Sequence, residues 1–184
     1  AITTASNADQ VILIVGTNSD WETEGNDRAE FNLPAEQNKL IEAVLQANQN
    51  TVVVVNSGSP IAMPWIEDAK AVLLTWFAGQ EFGNALVDIL TGEINPSGKL
   101  STSFPRSIED TPAYKCYPGT NQQMNYDEKL LVGYRWYDKA SVPALFPFGH
   151  GLSYTHFQYS NLEVQVNERV EVSCTFIVEN IGAV

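Results

Sequence analysis

Short apolar runs separated by turn residues mark the strands of a predicted sheet. The runs at 11–15, 52–55 and 71–74 contain no alternating polar residues. Uninterrupted apolar strands are typical of a parallel sheet that is covered on both faces. We therefore predict buried strands over 9–16, 51–56 and 71–76, and a fourth strand over 99–104.

Two segments between these strands have helical periodicity instead. One is predicted to open at Asn32, a good capping residue, with Pro34 in its first turn. Another is predicted to end at Gly92, and a short helix is expected after Pro64. The positions predicted to face inward on the two long helices are Leu40, Ile41, Val44 and Leu45, then Phe82, Leu86, Ile89 and Leu90. Such alternation predicts an α/β fold, with a mostly parallel sheet between helices in three layers.

After residue 154 the pattern changes to a strict alternation of apolar and polar positions, clearest from Val170 to Val178. This period of two predicts strands with one buried face. We therefore divide the chain into a partial α/β domain (1–140), a linker rich in proline and glycine (141–153) and the start of a β domain (154–184). Two strands do not make a stable sheet alone, so the second domain is predicted to be truncated.

Charge and hydropathy narrow the possible partners. The 184 residues carry 22 acidic and 10 basic side chains, for a net charge of −12. This argues against a nucleic-acid or phosphate partner, which needs a basic surface. No apolar run approaches the roughly 20 residues of a membrane span, so no membrane partner is expected. No signal peptide opens the chain. We interpret it as a fragment of a longer protein and leave its compartment open, with secretion slightly favoured.

The two cysteines give no sign of a metal site. Cys116 and Cys174 lie far apart, with no Cys-x-x-Cys pattern and no histidine close in sequence, so we predict no zinc. Cys174 alternates with apolar residues and is interpreted as a core side chain. The pattern leaves open whether the two cysteines form a disulfide.

An acidic loop is the strongest candidate for chemistry. Residues 17–31 follow the first predicted strand and contain five acidic side chains. Three of them, Glu22, Glu24 and Asp27, lie between Trp21 and Arg28. In open α/β sheets, ligands bind beyond the carboxyl ends of the strands. The loop is therefore predicted to form a site.

Four ordered motifs resemble a known family. They are Val15-Gly16-Thr17-Asn18 with Trp21-Glu22-Thr23-Glu24-Gly25-Asn26-Asp27-Arg28; Asn32-Leu33-Pro34 with Gln37; Asn95-Pro96-Ser97-Gly98-Lys99-Leu100; and Phe146-Pro147-Phe148-Gly149-His150-Gly151-Leu152-Ser153-Tyr154-Thr155. In this order they resemble the second, α/β-sandwich domain of family 3 glycoside hydrolases of the β-glucosidase type.

The resemblance implies a retaining enzyme that removes terminal β-D-glucosyl residues from β-glucosides or cello-oligosaccharides without a cofactor. It implies that Glu24, the glutamate before a glycine, is the general acid/base, and that an aspartate nucleophile lies on a (β/α)8 barrel domain absent from this chain. It places a fibronectin-III-like domain after residue 154. Trp21, Asp27 and Arg28 become candidate substrate-binding residues. The isolated chain is expected to be inactive.

Several alternatives stay open. Glu22 rivals Glu24 as the acid, Trp21 could pack in a core, and Asp27 and Arg28 could form a local ion pair. Asp20 follows a serine and precedes a tryptophan as in the family's nucleophile motif, but the residues after it place it in the second domain, and we do not assign it. The chain could also be a structural or sugar-binding piece without catalysis. A nucleotide-binding module is disfavoured because no glycine-rich phosphate loop follows Gly16.

Overall fold

The computed structural model describes residues 1–28, 30–121 and 123–184. The helices and strands run in the order α1 (Ile2–Ser6), β1 (Val11–Gly16), α2 (Gln37–Ala47), β2 (Thr51–Asn56), β3 (Ala71–Leu74), α3 (Phe82–Thr91), α4 (Tyr134–Ala140), β4 (Phe157–Val166) and β5 (Val172–Asn180). Short 3-10 helices lie at Ile66–Asp68 and Ile108–Asp110. The chain divides into two compact units, the first comprising 1–81 and 100–150 and the second comprising 82–99 and 151–184.

The first unit contains the predicted parallel sheet, with strand order β1-β2-β3. β1 and β2 are paired from Val11 with Thr51 to Gly16 with Asn56. The central strand β2 is the most deeply buried, as its run of valines predicts, whereas Ile12 on the edge strand β1 is half exposed. The α/β fold class is confirmed, and an antiparallel strand pair follows it in the chain.

An apolar cluster forms the core of the first unit. Its buried members come from β1, β2, α2 and the connecting segments: Val15, Leu33, Ile41, Leu45, Val53, Val55, Ile61, Met63, Trp65 and Phe104. Trp65 is the largest of the almost fully buried side chains, and its indole Nε1 donates to Asn38 Oδ1 at 3.0 Å.

The predicted fourth strand is not formed. Over 99–104 the described backbone contains only an isolated antiparallel bridge, between Phe104 and Phe146. Leu100 also exchanges backbone hydrogen bonds with the 149–150 segment. The prediction was wrong because this segment pairs with a later irregular stretch, a long-range choice that local pattern does not encode.

Helix α2 begins five residues later than predicted. Ala35 adopts a left-handed conformation (φ 53°), which separates Pro34 from the helix that begins at Gln37. Asn32 does not cap the helix; its Oδ1 accepts a hydrogen bond from the Asn38 side chain. The helix itself and its buried face (Ile41, Val44 and Leu45) are confirmed.

The second unit contains α3 and the antiparallel pair β4–β5. Asn95 fastens its turn to the 153–154 segment, donating to Ser153 Oγ at 2.9 Å and accepting from the Tyr154 N–H at 2.8 Å. Cys174 lies on β5 and is exposed, so its interpretation as a core residue was wrong for this chain. Among the residues that the structure describes, β5 pairs with β4 alone, and a two-stranded sheet by itself does not bury a face. Among the described residues, no helix is both long and apolar enough to cross a membrane.

Candidate active site

The acidic loop leaves the sheet at the edge where all three parallel strands end. The Thr17 N–H donates to the Asn56 carbonyl at 3.0 Å, and the Thr75 N–H donates to the Val55 carbonyl at 2.9 Å. The residues that follow β1, β2 and β3 are therefore neighbours. This is the edge at which α/β proteins bind ligands, as the sequence predicted.

Asn18 shapes the first turn of the loop. Its side-chain Oδ1 accepts from the N–H groups of Asp20 and Trp21, each at 3.1 Å. Its main-chain carbonyl accepts from Trp21 at 3.0 Å and Glu22 at 2.8 Å. Asparagine favours such local bonds at turns. The Asp20 carboxylate is exposed, and among the described residues it makes no hydrogen bond or ion pair.

Gln37 holds the end of β1 from the first turn of α2. Its Oε1 accepts from the Gly16 N–H at 2.8 Å, and its Nε2 donates to the Gly16 carbonyl at 2.9 Å. Both main-chain groups of Gly16 are thus satisfied by one side-chain amide. Gly16 also has no room for a β-carbon, which would collide with the Asn56 carbonyl of β2.

We expect Gln37→Leu to lower the free energy of unfolding of the first unit by about 2–3 kcal/mol. Three partly buried main-chain groups lose this partner: the N–H and carbonyl of Gly16 and the carbonyl of Pro34. Urea-dependent pulse proteolysis of the complete protein measures this. The matched control is Gln37→Glu, which still accepts from the Gly16 N–H but cannot donate. Its free energy of unfolding should lie between those of the parent and the leucine variant. A leucine variant as stable as the parent would refute the expectation.

The two glutamates of the loop have different surroundings. Glu22 is half-buried; its Oε1 accepts from Thr17 Oγ1 at 2.5 Å and from the Gly58 N–H at 3.0 Å. Glu24 is exposed, and among the described residues its carboxyl group has no hydrogen bond or ion pair. Gly25, directly after it, has a φ of 84°, a conformation that glycine adopts without strain. The chain therefore turns sharply beside an unengaged carboxyl group.

Asp27 and Arg28 do not form the predicted ion pair. The Asp27 carboxylate accepts from Tyr117 Oη at 2.8 Å, and Arg28 Nη2 donates to the Pro60 carbonyl at 3.0 Å. Each side chain thus ties the loop to a different part of the first unit. The expectation was wrong because partners distant in sequence compete successfully with an adjacent one.

Tyr117 is the loop contact that sequence reasoning missed. The hydrogen bond to Asp27, followed by the charge of Asp27, raises the pKa of this phenol above its ordinary value. Residues 105–126 have no hydrophobic period, and nothing in that segment signals a contact 90 positions away.

A cavity of about 330 Å³ lies beside Arg28. It is also lined by Phe31, Pro60, Ile108 and Tyr137, and the Arg28 guanidinium lies 5.9 Å from the centre of the Phe31 ring. Burial raises the pKa of Tyr137, with the charge of Asp110 as a second cause. Arg28 Nη1 is buried and has no hydrogen-bond partner among the described residues.

Trp21 is partly buried within the loop. Its indole Nε1 has no access to solvent and no acceptor among the described residues. The ring is thus neither a fully packed core residue nor a fully open stacking surface, so both predicted roles stay predictions.

Neither cysteine is paired: Cys116 and Cys174 are free thiols. Within the residues that the structure describes, no three histidine, cysteine, aspartate or glutamate side chains lie close enough together to hold a metal ion.

Known proteins share both the sequence and the geometry of this chain. Residues 1–154 match the family described as the glycosyl hydrolase family 3 C-terminal domain. The chain is 45% identical to probable β-glucosidase I of Aspergillus clavatus over 98% of its own length and 22% of that protein. It is 44% identical to thermostable β-glucosidase B of Acetivibrio thermocellus, over 97% of this chain and 24% of that protein.

A solved structure gives the same result for the fold. The β-glucosidase of Kluyveromyces marxianus in complex with glucose superimposes with a TM-score of 0.91 at 42% identity, over 98% of this chain and 22% of that one. The chain therefore spans about a fifth to a quarter of the length of the relatives it matches.

Proposed function

We propose a function for this chain on the basis of its family: the chain belongs to glycoside hydrolase family 3 and matches the C-terminal domain of that family. It is part of a retaining β-glucosidase that removes terminal non-reducing β-D-glucosyl residues. Glu24 is the general acid/base, and an aspartate nucleophile is supplied by a barrel domain outside this chain. Relatives named β-glucosidase, one of them solved with glucose, support this substrate class.

The observation that carries the assignment of Glu24 is its free carboxyl group. A general acid must reach the leaving oxygen, and a carboxyl group already bound to protein donors is less able to do so. Glu22 accepts from Thr17 and Gly58, whereas Glu24 is exposed beside a sharp glycine turn at the sheet edge. Of the two rivals in the loop, Glu24 is the one available to a substrate.

The reaction has two steps with Glu24 acting in both. In the first, its carboxyl proton moves to the glycosidic oxygen while the nucleophile bonds to the anomeric carbon and the aglycone leaves as an alcohol. In the second, the Glu24 carboxylate takes a proton from water as that water attacks the anomeric carbon and releases the nucleophile. Two inversions give net retention.

The remaining loop side chains are proposed to bind the sugar. Asp27 is exposed and its carboxylate can accept from sugar hydroxyl groups while it keeps its bond to Tyr117. Trp21 offers a partly exposed ring. Arg28 keeps its bond to the Pro60 carbonyl through Nη2, and its Nη1, which has no partner among the described residues, is the donor proposed for the sugar. No metal or other cofactor is required by this scheme, since two carboxyl groups suffice.

The test is hydrolysis of an aryl β-D-glucoside by the complete protein, followed by proton NMR of the first product. We expect β-glucose to appear first and to mutarotate later, because the configuration is retained. The 184-residue chain alone serves as the control and should be inactive, since it lacks the nucleophile. Initial release of α-glucose, or no hydrolysis of any β-glucoside, would contradict the proposal.

A further inference from the structure

We infer that Glu22 is a positioning residue that holds the acid/base loop in register with the carboxyl ends of the sheet. The inference rests on the proposed role of Glu24 and assigns its neighbour a separate task. Glu22 does not transfer the proton itself. It fixes the main chain two residues before the residue that does.

The first support is the position of the two donors that Glu22 engages. Thr17 directly follows β1, and Gly58 lies two residues after the end of β2. A single oxygen, Oε1, accepts from both, at 2.5 Å from Thr17 Oγ1 and 3.0 Å from the Gly58 N–H. The carboxylate therefore joins the ends of two adjacent parallel strands to the middle of the loop. Hydrogen bonds to a charged acceptor are the stronger kind.

The second support is the shape of the space around the carboxylate. A β-carbon at Gly58 would collide with Glu22 Oε2 and would lie 2.7 Å from Cε2 of Phe77, a residue just beyond β3. Glycine at position 58 thus leaves room for the Glu22 side chain. Thr17, Gly58 and Phe77, which lie just beyond β1, β2 and β3, are therefore all close to the Glu22 side chain, so the ends of the strands contribute to its location.

The third support is the lack of other hydrogen bonds close to Glu24 in the described part of the loop. Among the described residues, positions 23–26 make no hydrogen bonds, and the next fastening is Asp27 to Tyr117. Glu22 is thus the attachment nearest to Glu24 on its amino-terminal side. Misplacing a catalytic group by about 1 Å can cost on the order of 10²-fold in rate, so this attachment should matter to proton transfer.

The experiment compares Glu22→Ala, Glu22→Gln and Thr17→Val with Glu24→Ala in the complete protein. We measure kcat/KM on two substrates. Methyl β-D-glucoside needs a proton on its leaving oxygen, and 2,4-dinitrophenyl β-D-glucoside does not. Azide at fixed concentration is the second probe, and its effect is measured in kcat on the dinitrophenyl glucoside. It attacks the glycosyl–enzyme without needing a base, releases the nucleophile's carboxylate and forms β-glucosyl azide. Glu42→Ala, at an exposed site on α2, is the matched control.

We expect Glu22→Ala to lower kcat/KM on the methyl glucoside by about 10- to 100-fold and to leave the dinitrophenyl glucoside nearly unaffected. Glu22→Gln should stay within a few-fold of the parent, because its amide oxygen still accepts from Thr17 and Gly58. Thr17→Val should also lower kcat/KM on the methyl glucoside, but by less than Glu22→Ala does. Azide should accelerate only the Glu24 variant, since Glu24 is intact in the others.

Two results would overturn the inference while leaving the proposed activity standing. Equal losses on both glucosides in Glu22→Ala would mean that Glu22 supports the fold in general. Azide acceleration of Glu22→Gln, with losses as large as in the alanine variant, would mean that Glu22 is itself the proton donor.

Amide hydrogen exchange tests the positioning role of Glu22 independently of the proposed function. Glu22→Ala should raise amide exchange in peptides covering 17–28 and 57–60, and Glu22→Gln should not. If the complete protein hydrolyses no β-glucoside, the proposed function fails, but exchange still decides whether Glu22 anchors the loop. Unchanged exchange in Glu22→Ala would refute the anchor under either outcome.

Discussion

In the complete protein, Glu24→Gln is expected to lower kcat/KM on a glucoside with a poor leaving group by about 10²- to 10⁴-fold. Glutamine has nearly the same shape but has no acidic proton to give to the departing oxygen. Hydrolysis of methyl β-D-glucoside, measured by glucose release, tests this directly. A variant with the parent's rate on that substrate would refute the assignment of Glu24.

Two further measurements on Glu24→Gln test the acid/base role specifically. On the dinitrophenyl glucoside, kcat/KM should be close to that of the parent, because this leaving group departs without a proton. Its kcat should nevertheless fall, because the water that releases the glycosyl–enzyme has lost its base, and azide should restore turnover. A uniform loss without azide rescue would indicate a misplaced loop instead of a missing proton donor.

Stability should not change in Glu24→Gln. The Glu24 side chain is exposed and unpaired among the described residues, and such surface substitutions usually alter the free energy of unfolding by less than about 0.5 kcal/mol. Loss of activity without loss of stability is the combination expected of a residue whose interactions are made only with a substrate.

The sheet could be predicted because its signals are local. The run of valines at 52–55 reads as a buried strand without any knowledge of its neighbours, and β2 is the central, most buried strand. The apolar face of α2 has the correct period for the same reason. The start of α2 was missed because Ala35 takes a left-handed conformation, a choice that alanine does not signal.

The fourth predicted strand was wrong for a related reason. Its two apolar residues do pack in the first unit: Phe104 is fully buried, and Leu100 is partly buried against the same cluster. Pattern reports burial, but it does not report the hydrogen-bond partner, and Phe104 pairs with Phe146 rather than with a strand of the sheet.

The acidic loop could be predicted from sequence as a candidate site, but the different surroundings of its two glutamates could not. The resemblance selected Glu24, and residue type alone could not separate it from Glu22. The distinction comes from a hydrogen bond that spans 36 positions, from Gly58 to Glu22. The bond from Tyr117 to Asp27 spans 90 positions. Contacts of this range are set by the way the strands and loops pack, so no motif of eight residues contains them.

A core substitution should have the opposite signature to Glu24→Gln. Trp65 is 1% exposed and lies in the apolar cluster of the first unit. We expect Trp65→Ala to lower the free energy of unfolding of that unit by about 3–5 kcal/mol, the usual cost of removing a buried tryptophan side chain and leaving a cavity. The loss also strands the Asn38 amide oxygen that accepts from the indole.

Urea-dependent pulse proteolysis of the complete protein measures that loss, and Trp136→Ala is the matched control. Trp136 is partly exposed on α4, so the same change of residue should cost clearly less there. Equal losses at the two positions would contradict the prediction. At a temperature well below unfolding, Trp65→Ala should retain the leaving-group dependence of the parent, because Glu24 and the contacts of Glu22 are unchanged. Trp65→Ala is expected to lose stability and keep the chemistry, whereas Glu24→Gln is expected to lose the chemistry and keep stability. Together these results would separate the buried core, which stabilises the first unit, from the loop at the carboxyl ends of its strands, which takes part in the reaction.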